Sequence, residues 1–123
     1  MNFKEIAFLV GIFGDLILQI WVKIQGNVVG LKSYFIQHGK IESLLLAGGL
    51  MVFVISIFEL TNLKINYFNL WMYGGFIDLL MREFRLLPSL DEYYSVLDYF
   101  QSWVLGGLPM ILPLVIKNII MHP

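Results

Sequence analysis

Cysteine is missing from all 123 residues, so disulfides, thiolate nucleophiles and cysteine-held metals are excluded. Charge is scarce: Asp, Glu, Lys and Arg make up 14% of the chain, against about 25% in an average soluble domain. The charges present nearly cancel, to a net −1. Binding along a phosphate backbone needs a clear excess of Lys and Arg, so no nucleic acid partner is expected. Catalytic signatures are absent as well. The chain has no nucleophile elbow, phosphate-binding P-loop, paired-histidine zinc motif or potassium-filter sequence, and neither of its two histidines falls in a recognisable triad. No metal site is expected. No repeat period or low-complexity tract is evident, and the chain reads as a single domain, residues 1–123.

What is abundant is apolar surface. Hydrophobic residues are 59% of the chain and the mean hydropathy is +0.78. A soluble protein of this composition would have too little polar surface to cover itself, whereas a bilayer solvates apolar side chains directly. A spanning helix needs about 20 mostly apolar residues. Four segments approach that length, from Ile6 to Val22, Ser43 to Leu60, Ile65 to Leu87 and Phe100 to Ile116. Lys4 before the first run looks like the start of a signal peptide. However, Asp15 interrupts the run and no small-residue cleavage site follows, so an uncleaved helix is expected.

The links between the runs carry their own signals. The connection Thr61 to Lys64 is so short that its flanking helices are expected to be antiparallel neighbours. The stretch Leu31 to Ile41 either lies at the interface or extends the second helix into the headgroups. Ser89 and Glu92 have capping-box spacing after Pro88, so a new amphipathic helix is expected from Leu90, running through Gln101 at headgroup level. Pro109 and Pro113 predict a kink in the last span. The expected fold is all-α: an integral membrane bundle of four transmembrane helices with an interfacial amphipathic helix before the last. Three spans plus a re-entrant third segment is the alternative. Lys23, Lys32, Lys40, Arg82 and Arg85 outnumber Lys4, Lys64 and Lys117 across the bilayer, which puts both termini outside the cytoplasm.

Ionisable groups at membrane depth are costly and mark functional sites by default. Asp15 lies in the first helix, with Gln19 one turn on and Gly11 one turn before. Asp78 and Arg82, four residues apart on the third helix, are spaced to meet. That pair is equally readable as a self-neutralising structural ion pair. His38 and Glu42 start the second helix. Because the spans alternate, Asp15, Gln19, His38, Glu42, Asp78 and Arg82 all fall in one half of the membrane. They are the candidate ligand- or ion-binding residues. The recurrent glycines, Gly11, Gly14, Gly48, Gly49, Gly74, Gly75, Gly106 and Gly107, are expected chiefly at close helix contacts.

Gly14-Asp15 with Gln19, the run Tyr34 to Gly49 with His38-Gly39 and Glu42-Ser43, Gly75-Phe-Ile-Asp-Leu-Leu80, and Pro88-Ser-Leu-Asp-Glu-Tyr-Tyr94 cover much of the chain. Together they resemble stretches of small multi-span membrane proteins encoded by large DNA viruses of algae and protists. That resemblance implies a viral or host internal membrane and transfers no catalytic residue.

Three functions follow as expectations. The first is a transporter, channel or ligand-binding bundle built on the polar candidates. One chain of four helices hardly encloses a wet pathway, so its conducting form would be a homo-oligomer with glycine faces at the seams. The second is an architectural membrane protein of a virion or larger complex, partnered by the bilayer and by other membrane proteins. The third is a membrane-embedded lipid-modifying enzyme with Asp15 or Glu42 moving a proton.

Overall fold

The computed structural model describes residues 2–27 and 30–121. Helix α1 spans Phe3–Gln25 and α2 spans Lys32–Leu60. Helix α3 spans Tyr67–Phe84; a 3-10 turn at Pro88–Leu90 leads into the short α4, Asp91–Ser95; and α5 spans Tyr99–Met121. Three of these, α1, α2 and α5, are long and apolar enough to cross a membrane. Helix α3 carries Asp78, Arg82 and Glu83 within its 18 residues, which lowers its apolar character below that of the others.

The first and third helices begin in the same way. Asn2 accepts the backbone N–H of Glu5 at 2.8 Å, and Asn66 accepts that of Asn69 at 2.8 Å, so each side chain satisfies one of the amides that a helix start leaves open. Helix α5 opens with a reciprocal pair. Asp98 Oδ1 accepts the Gln101 N–H at 2.7 Å, and Gln101 Oε1 accepts the Asp98 N–H at 3.2 Å.

That reciprocal pair corrects the sequence reading. The box expected at Ser89 and Glu92 does not form: α4 has no side-chain cap, and its helix ends at Ser95 rather than continuing through Gln101. Ser89 and Glu92 are instead drawn to partners on the first half of the chain. Helix α5, where the prolines predict a kink, stays helical through Pro109 and Pro113, and α2 carries an unexpected break at Gly39, where φ is 72° and ψ 176°. A positive φ is open to glycine without the steric cost other residues bear.

The helices run as two antiparallel hairpins, α1 with α2 and α3 with α5, and α1 packs against α5 to join them. At one end Lys4 pairs with Glu59 at 3.0 Å and Lys117 lies over the Phe3 ring at 5.4 Å. Next to it sits the apolar core: Ile6, Ala7 and Val10 of α1, Met51 to Phe58 of α2, Leu70 of α3 and Met110 of α5. Helices α2 and α3 are joined by a short turn as expected, yet they meet through bulky rings, with Phe58 edge-on to Tyr73 at 5.8 Å, rather than by close backbone approach. The far half of the bundle holds the polar residues.

Candidate functional site: two carboxylates across two helix seams

Glycine sets how closely each hairpin closes. A Cβ placed on Gly11 would lie 2.7 Å from the Ala47 carbonyl oxygen, and one on Gly107 would lie 2.1 Å from that of Trp71. Neither obstacle is a flexible side-chain end, so only glycine fits. Gly48, Gly74, Gly75 and Gly106 are similarly crowded, as expected of tight packing, but Gly14 and Gly49 meet nothing within 4 Å.

One turn further along each seam an aspartate crosses it, buried in the first and half-buried in the second. Asp15, 7% exposed, accepts the Ser43 hydroxyl at 2.6 Å and the Gln19 amide at 2.8 Å; Gln19 also donates to the Lys40 carbonyl at 3.2 Å. Asp78 accepts the Ser102 hydroxyl at 2.6 Å and the Tyr94 phenol at 3.1 Å, with its Cβ seated over Gly106. Both serines are fully buried. Burial, and after it the Asp78 charge, push the Tyr94 phenol well above its ordinary range, so it remains a donor.

The two seams share a written pattern. Gly11-Ile-Phe-Gly-Asp-Leu16 matches Gly74-Gly-Phe-Ile-Asp-Leu79 in its glycine, phenylalanine, aspartate and leucine. Ser43 to Met51 matches Ser102 to Met110 in its serine, its leucine at 46 and 105, its glycine at 48 and 107, and its methionine. In each hairpin the glycine of the first helix meets the second, and the aspartate bonds the serine. The chain therefore contains a repeated hairpin, which a search at one fixed period misses because the offset differs between first and second helices.

The third polar group is centred on His38. Its Nδ1 is 2.8 Å from Glu42 Oε1 and its Nε2 is 2.5 Å from Ser89 Oγ, while its ring packs on Tyr34 at 4.8 Å. A carboxylate only accepts, so Nδ1 carries a proton. Close by, Glu92 takes the Ser33 hydroxyl and the Asn27 amide, and these two donors hold its carboxyl below the usual glutamate range. Gly30, at φ 75°, makes room for this docking: a Cβ there would sit 2.7 Å from the Glu92 carbonyl oxygen.

Among the described residues the six candidates fall into three separate groups, with no hydrogen bond or ion pair between groups: Asp15 bonded to Gln19, His38 bonded to Glu42, and Asp78 with Arg82 one turn on but unbonded to it. Asp78 and Arg82 form no ion pair among the described residues, contrary to their spacing. The Asp78 oxygens are taken by Ser102 and Tyr94. The Arg82 guanidinium instead lies over the Tyr99 ring at 4.3 Å and the Tyr94 ring at 5.9 Å, a cation–π arrangement. Its Nη1 is enclosed with no hydrogen-bond acceptor among the described residues. Sequence reading missed Ser43, Ser102 and Tyr94, the donors that occupy the carboxylates. The doubled serine pattern was the signal that marks two of them.

No family model, curated protein or solved structure matches the chain.

Proposed function

We propose that this chain is an architectural membrane protein: four spans, two hairpins, with the two carboxylates fastening the helices to one another. The observation that carries the reading is that each aspartate accepts a serine hydroxyl from the partner helix of its hairpin, with Gln19 of the same helix and Tyr94 of α4 adding one further bond each. Polar side chains used this way join membrane helices, where lipid offers no competing partner. Helix α3 counts as the fourth span because Asp78 is partnered inside the bundle and Arg82 is covered by two rings, which lessens the cost of its charges in lipid. The basic links face the cytoplasm in this reading. The resemblance to viral proteins adds a virion or host internal membrane as the setting.

The test is reconstitution of the purified chain into liposomes beside Asp15→Ala and Asp78→Ala variants. The expected outcome is solute and ion flux no greater than in empty liposomes, together with lower thermal stability of both variants in detergent. Flux in the wild type that disappears in either variant would overturn the reading.

A second reading, a ligand-binding bundle, is favoured by Arg82. An enclosed guanidinium nitrogen with no acceptor leaves a place for an anionic group between α3 and the Tyr94–Tyr99 segment. Co-purification of a stoichiometric anion from wild type but not from Arg82→Gln would support it.

A further inference from the structure

The linked end of the first hairpin holds a cleft of about 450 Å³ between the last turns of α1 and the first of α2. Lys23, Lys32 and Lys40 stand around it, with Gln19 beside them, and Val22, Phe35 and Ile36 supply its apolar wall. Gly39, the point where α2 breaks, also lines it. None of the three lysines makes an ion pair among the described residues. Of the nearby carboxylates, Glu42 is engaged by His38. Glu92 is engaged by Ser33 and Asn27, with the Lys32 charge a minor further help to it.

The second hairpin shows what the same end looks like when its cations are covered. Arg82, the counterpart of Gln19 in the repeated pattern, lies under the Tyr99 ring, and Arg85 pairs with Asp91. Among the described residues, the three lysines of the first hairpin have no ion-pair partner and no aromatic ring over them.

We propose that this cleft binds the phosphate headgroup of an anionic membrane lipid. The chemistry matches at both ends of such a molecule. Lysine stems lie along apolar surface while their ammonium groups stay at the polar boundary, where a lipid phosphate sits. The lipid tail descends along Val22, Phe35 and Ile36, and Ile36 is 70% exposed on that side. A basic pocket between membrane helices at the headgroup level is a recurrent way of holding such lipids. The proposal depends on the chain being embedded in a bilayer, and not on its role there being architectural.

The full chain in mild detergent, titrated with phosphatidylglycerol or with phosphatidylcholine of the same acyl chains and read by native mass spectrometry, tests it. Phosphatidylglycerol is expected to bind preferentially, in a one-to-one complex. The triple variant Lys23→Gln, Lys32→Gln, Lys40→Gln is expected to lose about five-fold in affinity per lysine. The matched arginine triple keeps the binding, as does Lys64→Gln with Lys117→Gln at the opposite end. No preference between the two lipids overturns the proposal. So does an equal loss in the opposite-end variant, or a loss in the arginine triple. Displacement of the lipid by millimolar inorganic phosphate would identify a free-anion site and overturn the lipid assignment.

Discussion

The two seams use one device and surround it differently. In the first hairpin the Asp15–Ser43 bond is finished by a single neutral side chain, Gln19, which reaches across to a backbone carbonyl. In the second, the equivalent bond between Asp78 and Ser102 sits among Tyr94, Tyr99 and Arg82, and Trp103 fills the neighbouring groove against Trp71 at 4.9 Å and Phe76 at 5.6 Å. In the first hairpin a serine and a glutamine supply the two bonds that Asp15 accepts. An arginine in the glutamine's position brings a charge of its own, and Tyr94 of α4 and Tyr99 at the start of α5 cover it. The short α4 thus serves the second hairpin at the end where that arginine stands.

The comparison can be broken most decisively at the glycines. Gly107→Ala places a methyl group against the Trp71 backbone and is expected to cost roughly 3 kcal/mol or more, with Gly11→Ala costing somewhat less; Gly49→Ala, which meets nothing, should stay within about 0.5 kcal/mol. Thermal unfolding in a fixed detergent measures all three, and equal losses would show that the seams do not depend on close approach.

Next come the cross-seam bonds. Double-mutant cycles of Asp15→Ala with Ser43→Ala, and of Asp78→Ala with Ser102→Ala, should each yield a coupling of about 0.6–1.7 kcal/mol. Coupling in one hairpin and none in the other would end the claim that they are equivalent.

Smaller is the effect of acid on the docked link. The Glu92 carboxyl is depressed in the folded chain, so its contribution is fully present above the ordinary glutamate range and lost as pH falls through the lowered value. The protection factor of the Lys32 amide, which donates to Asn27 at 3.1 Å, should therefore stay high at neutral pH and fall only in acid; Glu92→Gln should flatten that dependence. The least effect is expected from Arg85→Ala. It removes an exposed ion pair to Asp91 and should leave the thermal unfolding midpoint close to that of the wild type.

Much of this arrangement was legible in the sequence. Hydrophobic runs located the long helices, three of which are long and apolar enough to cross a membrane. Asp15 meets Gln19, since four-residue spacing on one helix is a local matter, and His38 reaches Glu42 although the two flank the break at Gly39. Asp78 with Arg82 has the same spacing and does not meet, because the competing partners, Ser102, Tyr94 and Tyr99, lie on segments that only tertiary packing brings close. The capping signal failed at Ser89 for a similar reason. His38 lies 51 positions earlier in the chain and claims its hydroxyl, while Ser33 and Asn27 claim Glu92. The break at Gly39 was hidden because glycines at 48 and 49 remain helical; only the backbone angles separate them.

Each aspartate finds its serine within its own hairpin, 28 positions ahead for Asp15 and 24 for Asp78. This bears on how the chain is made. In the four-span reading proposed above, the first helix on its own carries a carboxyl into hydrocarbon with Gln19 as its one partner, and the second helix adds Ser43. In that reading the unit that enters the bilayer is the helix pair, and each pair comes with its own fastening already encoded. Chains truncated before Ser43 should wash out of membranes in alkaline buffer, while chains ending just after α2 should stay.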